Sequence, residues 1–169
     1  PMPGYRFIAS NTDRSRYYVG ELNGKSSKQA YMDALHISES NIINQTFHNP
    51  LGKMNGQDIC IISLKEVSGN GLCCYRQVND SDVLVLLEEQ DYNEILDETL
   101  QRIRRDFNHI SGVFSINCVF RYLLFSQEHH MEDYLKTMST LGDHAGLIGF
   151  GEHYNQQFVN QTMTCVVFE

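Results

Sequence analysis

A glycine-rich turn between two apolar runs constrains the fold of this chain more than any other feature of its sequence. Residues 68–71 read SGNG, and glycine and asparagine tolerate the positive φ angles that a tight β-hairpin needs. The runs on either side, residues 58–67 and 71–78, are therefore predicted to pair as antiparallel strands. A third apolar run, residues 82–87, follows a turn at 79–81, so the middle of the chain is predicted to form an antiparallel meander.

Helix signals lie on both sides of this predicted sheet. Residues 91–108 carry an apolar stripe at intervals of three and four residues, with acidic side chains at the beginning and arginines near the end, which suits the helix dipole. Residues 25–35, 38–47 and 128–141 are predicted as three further helices. Helices and hairpins alternate without a regular βαβ order, so the sequence predicts an α+β fold with a mixed, largely antiparallel sheet packed against several helices.

The end of the chain is predicted to be a C-terminal β-hairpin. Its strands are residues 146–152 and 158–168, and residues 153–157 form the loop. No repeat or flexible linker separates this hairpin from the rest of the sequence. Residues 1–169 are therefore predicted to form a single domain.

The two predicted hairpin strands place small and polar residues on particular faces. Because side chains alternate between the faces of a strand, Gly149 and Gly151 share a nearly empty face, which a ligand or another backbone can approach closely. Asn160 and Thr162 line one face of the partner strand. These residues are either the wall of a small polar pocket or a sheet edge whose polar face meets water.

The composition excludes several classes of partner. The formal net charge is −8, and basic residues form no run longer than two, which disfavours nucleic-acid and membrane-surface binding. No stretch approaches the roughly 18 apolar residues that span a bilayer. The five cysteines form no CxxC pair, and the histidines are scattered, so no metal site and no cofactor are predicted.

Arg121 directly follows an almost wholly apolar run, residues 114–120, which Ser115 and Asn117 interrupt. A buried arginine needs a charged or hydrogen-bonding partner. One candidate is Glu152, which would form a structural ion pair that orders a loop. The other candidate is the carboxylate of a ligand, which would make Arg121 part of a binding site.

Cys118 suggests a different hypothesis, in which the protein is a thiol-dependent enzyme. In this hypothesis His144 or His153 is the base and Glu152 orients it. A lone cysteine in an apolar strand is more often an inert core residue. No nucleophile elbow, phosphate-binding loop or zinc-protease motif is present, so the sequence predicts that the protein is not an enzyme.

Several segments, in the right order along the chain, together resemble the C-terminal domain of the FIST family. Residues 114–121, FSINCVFR, are similar to the family's F-N-C-x-x-R stretch, and residues 159–164, VNQTMT, are similar to its x-N-Q-T-x-T strand. The 146–152 segment, GLIGFGE, resembles x-I-G-F-x-x-x-G-E but is shorter. Upstream, residues 19–31 resemble the N-G-K-P segment, with Ser26 in place of the proline, and residues 48–52 resemble the P-L-G loop.

The resemblance implies a cytoplasmic, bacterial sensory domain that binds a small ligand, with an amino acid as the candidate, and that has no established catalysis. It also implies that the chain is the C-terminal part of a longer protein, next to an N-terminal FIST domain or a signalling module. In this hypothesis Arg121 binds a ligand carboxylate and Glu152 an ammonium group. The alternative is an interaction module that docks one of those neighbours. The predicted ligand-binding residues are Asn117, Arg121, Gly149, Gly151, Glu152, Asn160 and Thr162.

Overall fold

The structure is a computed structural model that describes residues 1–56, 58–154 and 157–169. Two compact units make up the chain, Pro1–Glu89 and Gln90–Glu169. Among the described residues, no helix combines the length and the apolar character that crossing a membrane requires.

The first unit is built on one antiparallel sheet. The strands are β1 Arg6–Asp13, β2 Tyr18–Leu22, β3 Lys25–Ser26, β4 Leu51–Asn55, β5 Asp58–Ile62, β6 Leu64–Ser68, β7 Gly71–Cys74 and β8 Val83–Leu86. Their order in the sheet is β5-β4-β8-β1-β2-β7-β6, and β3 also pairs with β2.

The predicted hairpin at residues 68–71 is confirmed, and the predicted meander beyond it is wrong. β6 and β7 pair antiparallel across the turn, where Gly69 has a φ of +59°. The predicted strand 58–67 is two strands, β5 and β6, divided at Ser63. β8 leaves this region and inserts between β4 and β1. Leu84 and Leu86 in β8 are fully buried, and a short, wholly apolar strand is best covered in the interior of a sheet.

Helices of the first unit cover the apolar core of this sheet. Helix α1, Ser27–Leu35, begins two residues later than the predicted helix 25–35, because Lys25–Ser26 forms strand β3, and its N-cap Ser26 accepts a hydrogen bond from the Gln29 amide at 3.3 Å. Tyr31 in this helix is fully buried, and its hydroxyl donates to the Asn49 carbonyl at 2.7 Å. The predicted helix 38–47 is a 3-10 turn, Glu39–Asn41, followed by the short helix α2, Ile42–Gln45.

In its described residues the second unit has a three-stranded sheet, a two-stranded hairpin, three α-helices and a 3-10 turn, Ser139–Leu141. Strand β9, Gly112–Cys118, lies between a parallel neighbour and an antiparallel one. The remaining elements are α3 Tyr92–Asp106, α4 Val119–Gln127, α5 Met131–Met138, the parallel strand β10 Asp143–Gly149, the hairpin strands β11 Glu152–Tyr154 and β12 Gln157–Val159, and the antiparallel strand β13 Met163–Phe168. The predicted helix 91–108 is thus confirmed as α3, with Asp91 as its N-cap.

The α+β class, the largely antiparallel sheets and a C-terminal hairpin are confirmed, but the pairing predicted for the last strands is wrong. β10 and β13 do not pair with each other, because β9 lies between them. The hairpin is formed instead by β11 and β12, since the chain turns at Gly151, whose φ is +129°. The centre of the predicted loop 153–157, residues 155 and 156, lies outside the described residues.

Candidate ligand-binding site

The predicted site residues gather at one end of the three-stranded sheet. β9 and β10 run parallel and end together, with Cys118 opposite Gly149. Thr162, just before β13, reaches the same end, where its carbonyl accepts a hydrogen bond from the Cys118 amide at 3.0 Å. The carboxyl ends of adjacent parallel strands are a common place for ligands in α/β sheets. This end of the sheet is therefore where a ligand-binding site is expected in the second unit.

Asn117 belongs to a buried polar network under helix α5. Its Nδ2 donates to the Tyr134 hydroxyl at 2.8 Å, and that hydroxyl donates to Ser115 Oγ at 3.4 Å. Ser115 Oγ in turn lies 2.8 Å from His144 Nε2. The other amide atom of Asn117, Oδ1, is buried without a hydrogen-bond partner. The network therefore fixes the orientation of Asn117 and leaves one acceptor unused.

Arg121 lies in the first turn of α4 and packs against two aromatic rings. Its guanidinium carbon lies 4.6 Å from the centre of the Phe125 ring and 5.6 Å from that of Tyr134, which is cation–π geometry. Burial lowers the pKa of the Arg121 guanidinium, and the neighbouring Tyr134 partly offsets this. The Nε atom is buried and has no hydrogen-bond partner. Arg121 is thus a desolvated cation with one unused donor.

Glu152 is the one carboxylate among the predicted site residues, and it is deeply buried, with 3% of its surface exposed. Its Oε2 accepts a hydrogen bond from Thr162 Oγ1 at 2.7 Å, while Oε1 is buried without a partner. Burial raises the pKa of Glu152, and the bond from Thr162 opposes that rise without cancelling it. A buried carboxylate with a free oxygen is poised either to hold a proton or to accept a donor.

The two glycines have different roles. A Cβ on Gly149 would lie 3.3 Å from Ile116 Cγ2 and 3.6 Å from Glu152 Oε1, so the space beside Gly149 is occupied by that carboxylate. A Cβ on Gly151 would lie only 2.2 Å from Phe158 Cζ and 3.1 Å from Asn160 Oδ1. Gly151 is therefore required by its positive φ and by the packing of the hairpin beneath it.

The predicted residues form two groups on opposite sides of β9. Neighbouring side chains of a strand point to opposite faces, so Ile116 and Asn117 face different ways. Asn117 faces α5, whereas the carboxylate of Glu152 lies beside Gly149 on the Ile116 side. The chain turns at Gly151, where φ is +129°, and Glu152 follows this turn directly.

The structural ion pair between Arg121 and Glu152 is not formed. Among the described residues, no carboxylate oxygen lies within 4.0 Å of the Arg121 guanidinium. Both side chains therefore retain their unused polar atoms.

Cys118 lacks the surroundings of a catalytic thiol. It is buried, and in the described part of the chain no hydrogen bond joins its sulfur to a histidine. His144, the predicted base, bonds Ser115 instead, and burial lowers the His144 pKa. The exposed ring of His153 packs edge-on against Phe158.

Sequence reasoning missed Tyr134, the residue that connects Asn117 to Arg121. Tyr134 lies on the apolar stripe of α5, and that position predicts only a core residue. A tyrosine at the centre of a core stripe needs a hydrogen-bond partner for its hydroxyl. That need is the one feature of the sequence that predicts a polar contact at Tyr134. The two polar interruptions of β9, Ser115 and Asn117, are two residues apart and therefore on one face, and together they supply that partner.

Comparison with known families supports the resemblance read from the sequence. The family model described as FIST C domain matches residues 28–155, which is most of the chain and includes parts of both units. No curated protein and no solved structure matches the chain. FIST C domains are associated with signal transduction and are not a known enzyme family. The chain belongs to the FIST C domain family.

Proposed function

We propose that residues 1–169 form one FIST C domain that acts as a cytoplasmic sensor in bacterial signalling and binds a small polar ligand without catalysis. One observation carries this proposal. Three buried polar atoms without hydrogen-bond partners, Asn117 Oδ1, Arg121 Nε and Glu152 Oε1, lie around the same end of β9. A buried polar atom left unsatisfied costs about 1–3 kcal/mol, so a ligand that satisfies them gains that energy on binding.

The chemistry of these three atoms limits the ligand. Arg121 Nε is a donor and a cation, which suits a carboxylate. Asn117 Oδ1 and Glu152 Oε1 accept hydrogen bonds, which suits an ammonium or amide group. An α-amino acid carries both kinds of group on one carbon and is the first candidate, with its carboxylate at Arg121 and its ammonium group at Asn117 Oδ1, since both residues contact Tyr134 on the same side of β9.

A thermal-shift screen of the full chain against the standard amino acids tests this function. A true ligand at 100 times its dissociation constant adds about 2.7 kcal/mol to the free energy of unfolding. Acetate and methylamine are tested separately, because acetate supplies only the carboxylate and methylamine only the ammonium group. Arg121→Met is expected to abolish the shift, whereas Arg102→Met, at an exposed position of α3, is expected to preserve it. The absence of a shift with every amino acid would rule out this ligand class.

A second function, that of an interaction module, is favoured by a different observation. Leu147, Val166 and Phe168 are about half exposed and lie on one face of the three-stranded sheet, on the side of Ile116. An exposed apolar face of this kind is typical of a docking surface, here for an N-terminal FIST domain or a signalling partner. In that case Arg121→Ala lowers the free energy of unfolding, and no small molecule changes the melting temperature of the unsubstituted chain or of the variant.

A further inference from the structure

Strand β10 is an open edge of the sheet in the second unit. Within the described part of the chain it pairs with β9 alone, so the N–H and C=O groups along its other side have no strand partner. Such an edge is a template for another strand, because each unpaired backbone group is positioned for a ladder hydrogen bond. The backbone therefore specifies an extended strand, rather than a helix, as the occupant.

β10 also lacks the features that normally protect an edge. Its sequence is DHAGLIG, with one charged residue, Asp143, at its start and neither lysine nor proline. Leu147 is 49% exposed and Ile148 is 45% exposed, and as neighbours they point to opposite faces. Apolar surface is therefore available on both faces of this edge, which favours pairing along the edge over packing of a single face.

We propose that β10 pairs antiparallel with β10 of a second copy of this chain. A two-fold axis perpendicular to the sheet produces this arrangement, and closed two-fold dimers are the commonest homo-oligomers. Directly opposed residues must share a face, and a register centred on Leu147 meets this condition and places Ala145–Gly149 opposite the same residues of the other copy, so the cross-strand contacts are apolar. It also keeps the two Asp143 carboxylates at opposite ends of the interface, whereas parallel pairing would place them side by side.

Sedimentation velocity of the full chain over a range of concentrations tests this proposal, and a concentration-dependent dimer is expected. Leu147→Lys and Ile148→Lys are each expected to raise the dimer dissociation constant at least about tenfold, because lysines on an edge strand oppose pairing. Val166→Lys is the matched control. Val166 is 57% exposed and shares the face of Leu147, but it lies in β13 at the other edge of the sheet.

The variants separate edge pairing from packing of the apolar face. If Leu147→Lys and Val166→Lys both disrupt the dimer while Ile148→Lys does not, the copies pack face to face and the proposal is wrong. A chain that stays monomeric up to its solubility limit also overturns the proposal, and a different protein would then be the occupant. Circular dichroism confirms that each variant is folded, and Ala145→Lys replaces any variant that is not.

Discussion

The hydroxyl of Tyr134 is expected to stabilise the second unit through one buried hydrogen bond. In Tyr134→Phe the ring remains, so its contacts with Phe125 and Arg121 are kept and only the hydroxyl is lost. The Asn117 amide, which donates to that hydroxyl at 2.8 Å, then has no partner for Nδ2 or for Oδ1. Ser115 keeps its bond to His144 and loses only a contact of 3.4 Å, which contributes little.

The free energy of unfolding of Tyr134→Phe is therefore expected to fall by about 1–3 kcal/mol, the cost of one unsatisfied buried donor. For a unit of this size, each kcal/mol corresponds to a fall of about 4–8 °C in the melting temperature. Urea and thermal unfolding followed by circular dichroism measure both quantities. Replacing both partners, in Asn117→Leu/Tyr134→Phe, is expected to restore part of the loss, because no polar atom of this pair is then left unpaired.

Tyr122→Phe is the matched control, because Tyr122 lies on the exposed side of α4. Its free energy of unfolding is expected to change by less than about 0.5 kcal/mol. The reasoning is refuted if Tyr134→Phe changes stability no more than Tyr122→Phe does. A double variant that is less stable than Tyr134→Phe alone would likewise show that Asn117 is stabilised by something other than this hydroxyl.

Three further substitutions test individual features. Burial raises the pKa of Glu152 above its ordinary value near 4.5, so its folded form holds a proton more tightly than the unfolded chain and stability falls as the pH rises through the folded pKa. Glu152→Gln is expected to weaken this fall in urea titrations at a series of pH values. Gly151→Ala is expected to cost about 1–3 kcal/mol of unfolding free energy, because φ is +129° and Phe158 must move. Ser26→Ala removes both the cap bond from the Gln29 amide and the bond that Ser26 Oγ donates to the Asn70 carbonyl, and is expected to lower the free energy of unfolding by at least about 1 kcal/mol.

Each of these expectations has an outcome that contradicts it. An unchanged pH dependence in Glu152→Gln would mean that this carboxyl titrates normally. A Gly151→Ala variant as stable as the parent would mean that the hairpin accommodates a side chain. Ser38 precedes the 3-10 turn and makes no side-chain cap bond, so Ser38→Ala should cost less than Ser26→Ala. Equal losses in the two serine variants would contradict the capping argument.

Local features of the fold were predictable from the sequence, because their causes lie within a few residues. The apolar stripe of α3, the acidic residues at its beginning and the turn at Gly69 are all of this kind. Strand partners were not predictable in the same way. β8 and β10 are apolar runs, and an apolar run shows that a strand is buried or half-buried without showing which strand lies beside it.

The sequence named the candidate site residues but revealed less of their geometry, and their binding of a ligand stays a prediction. Asn117, Arg121, Glu152 and Thr162 lie near one end of β9, because β9 and β10 end there and the residues before β13 return to it. The turn at Gly151 decides on which side of the sheet Glu152 lies. At Gly151 the space that a Cβ would need is occupied by Phe158, and the alternation of residues along a strand reveals neither this contact nor the turn.

The central position of β9 also has a consequence for how the second unit folds. Gly112 pairs with Asp143 on one side and with Phe168 on the other, so both ladders join segments that are far apart in the sequence. Loop closure must be completed before these contacts stabilise the chain, which makes folding slower than in a bundle with local contacts. During synthesis, the β13 side of β9 stays unpaired until residues 163–168 have left the ribosome, so this is the period when the unit is most exposed to misassociation.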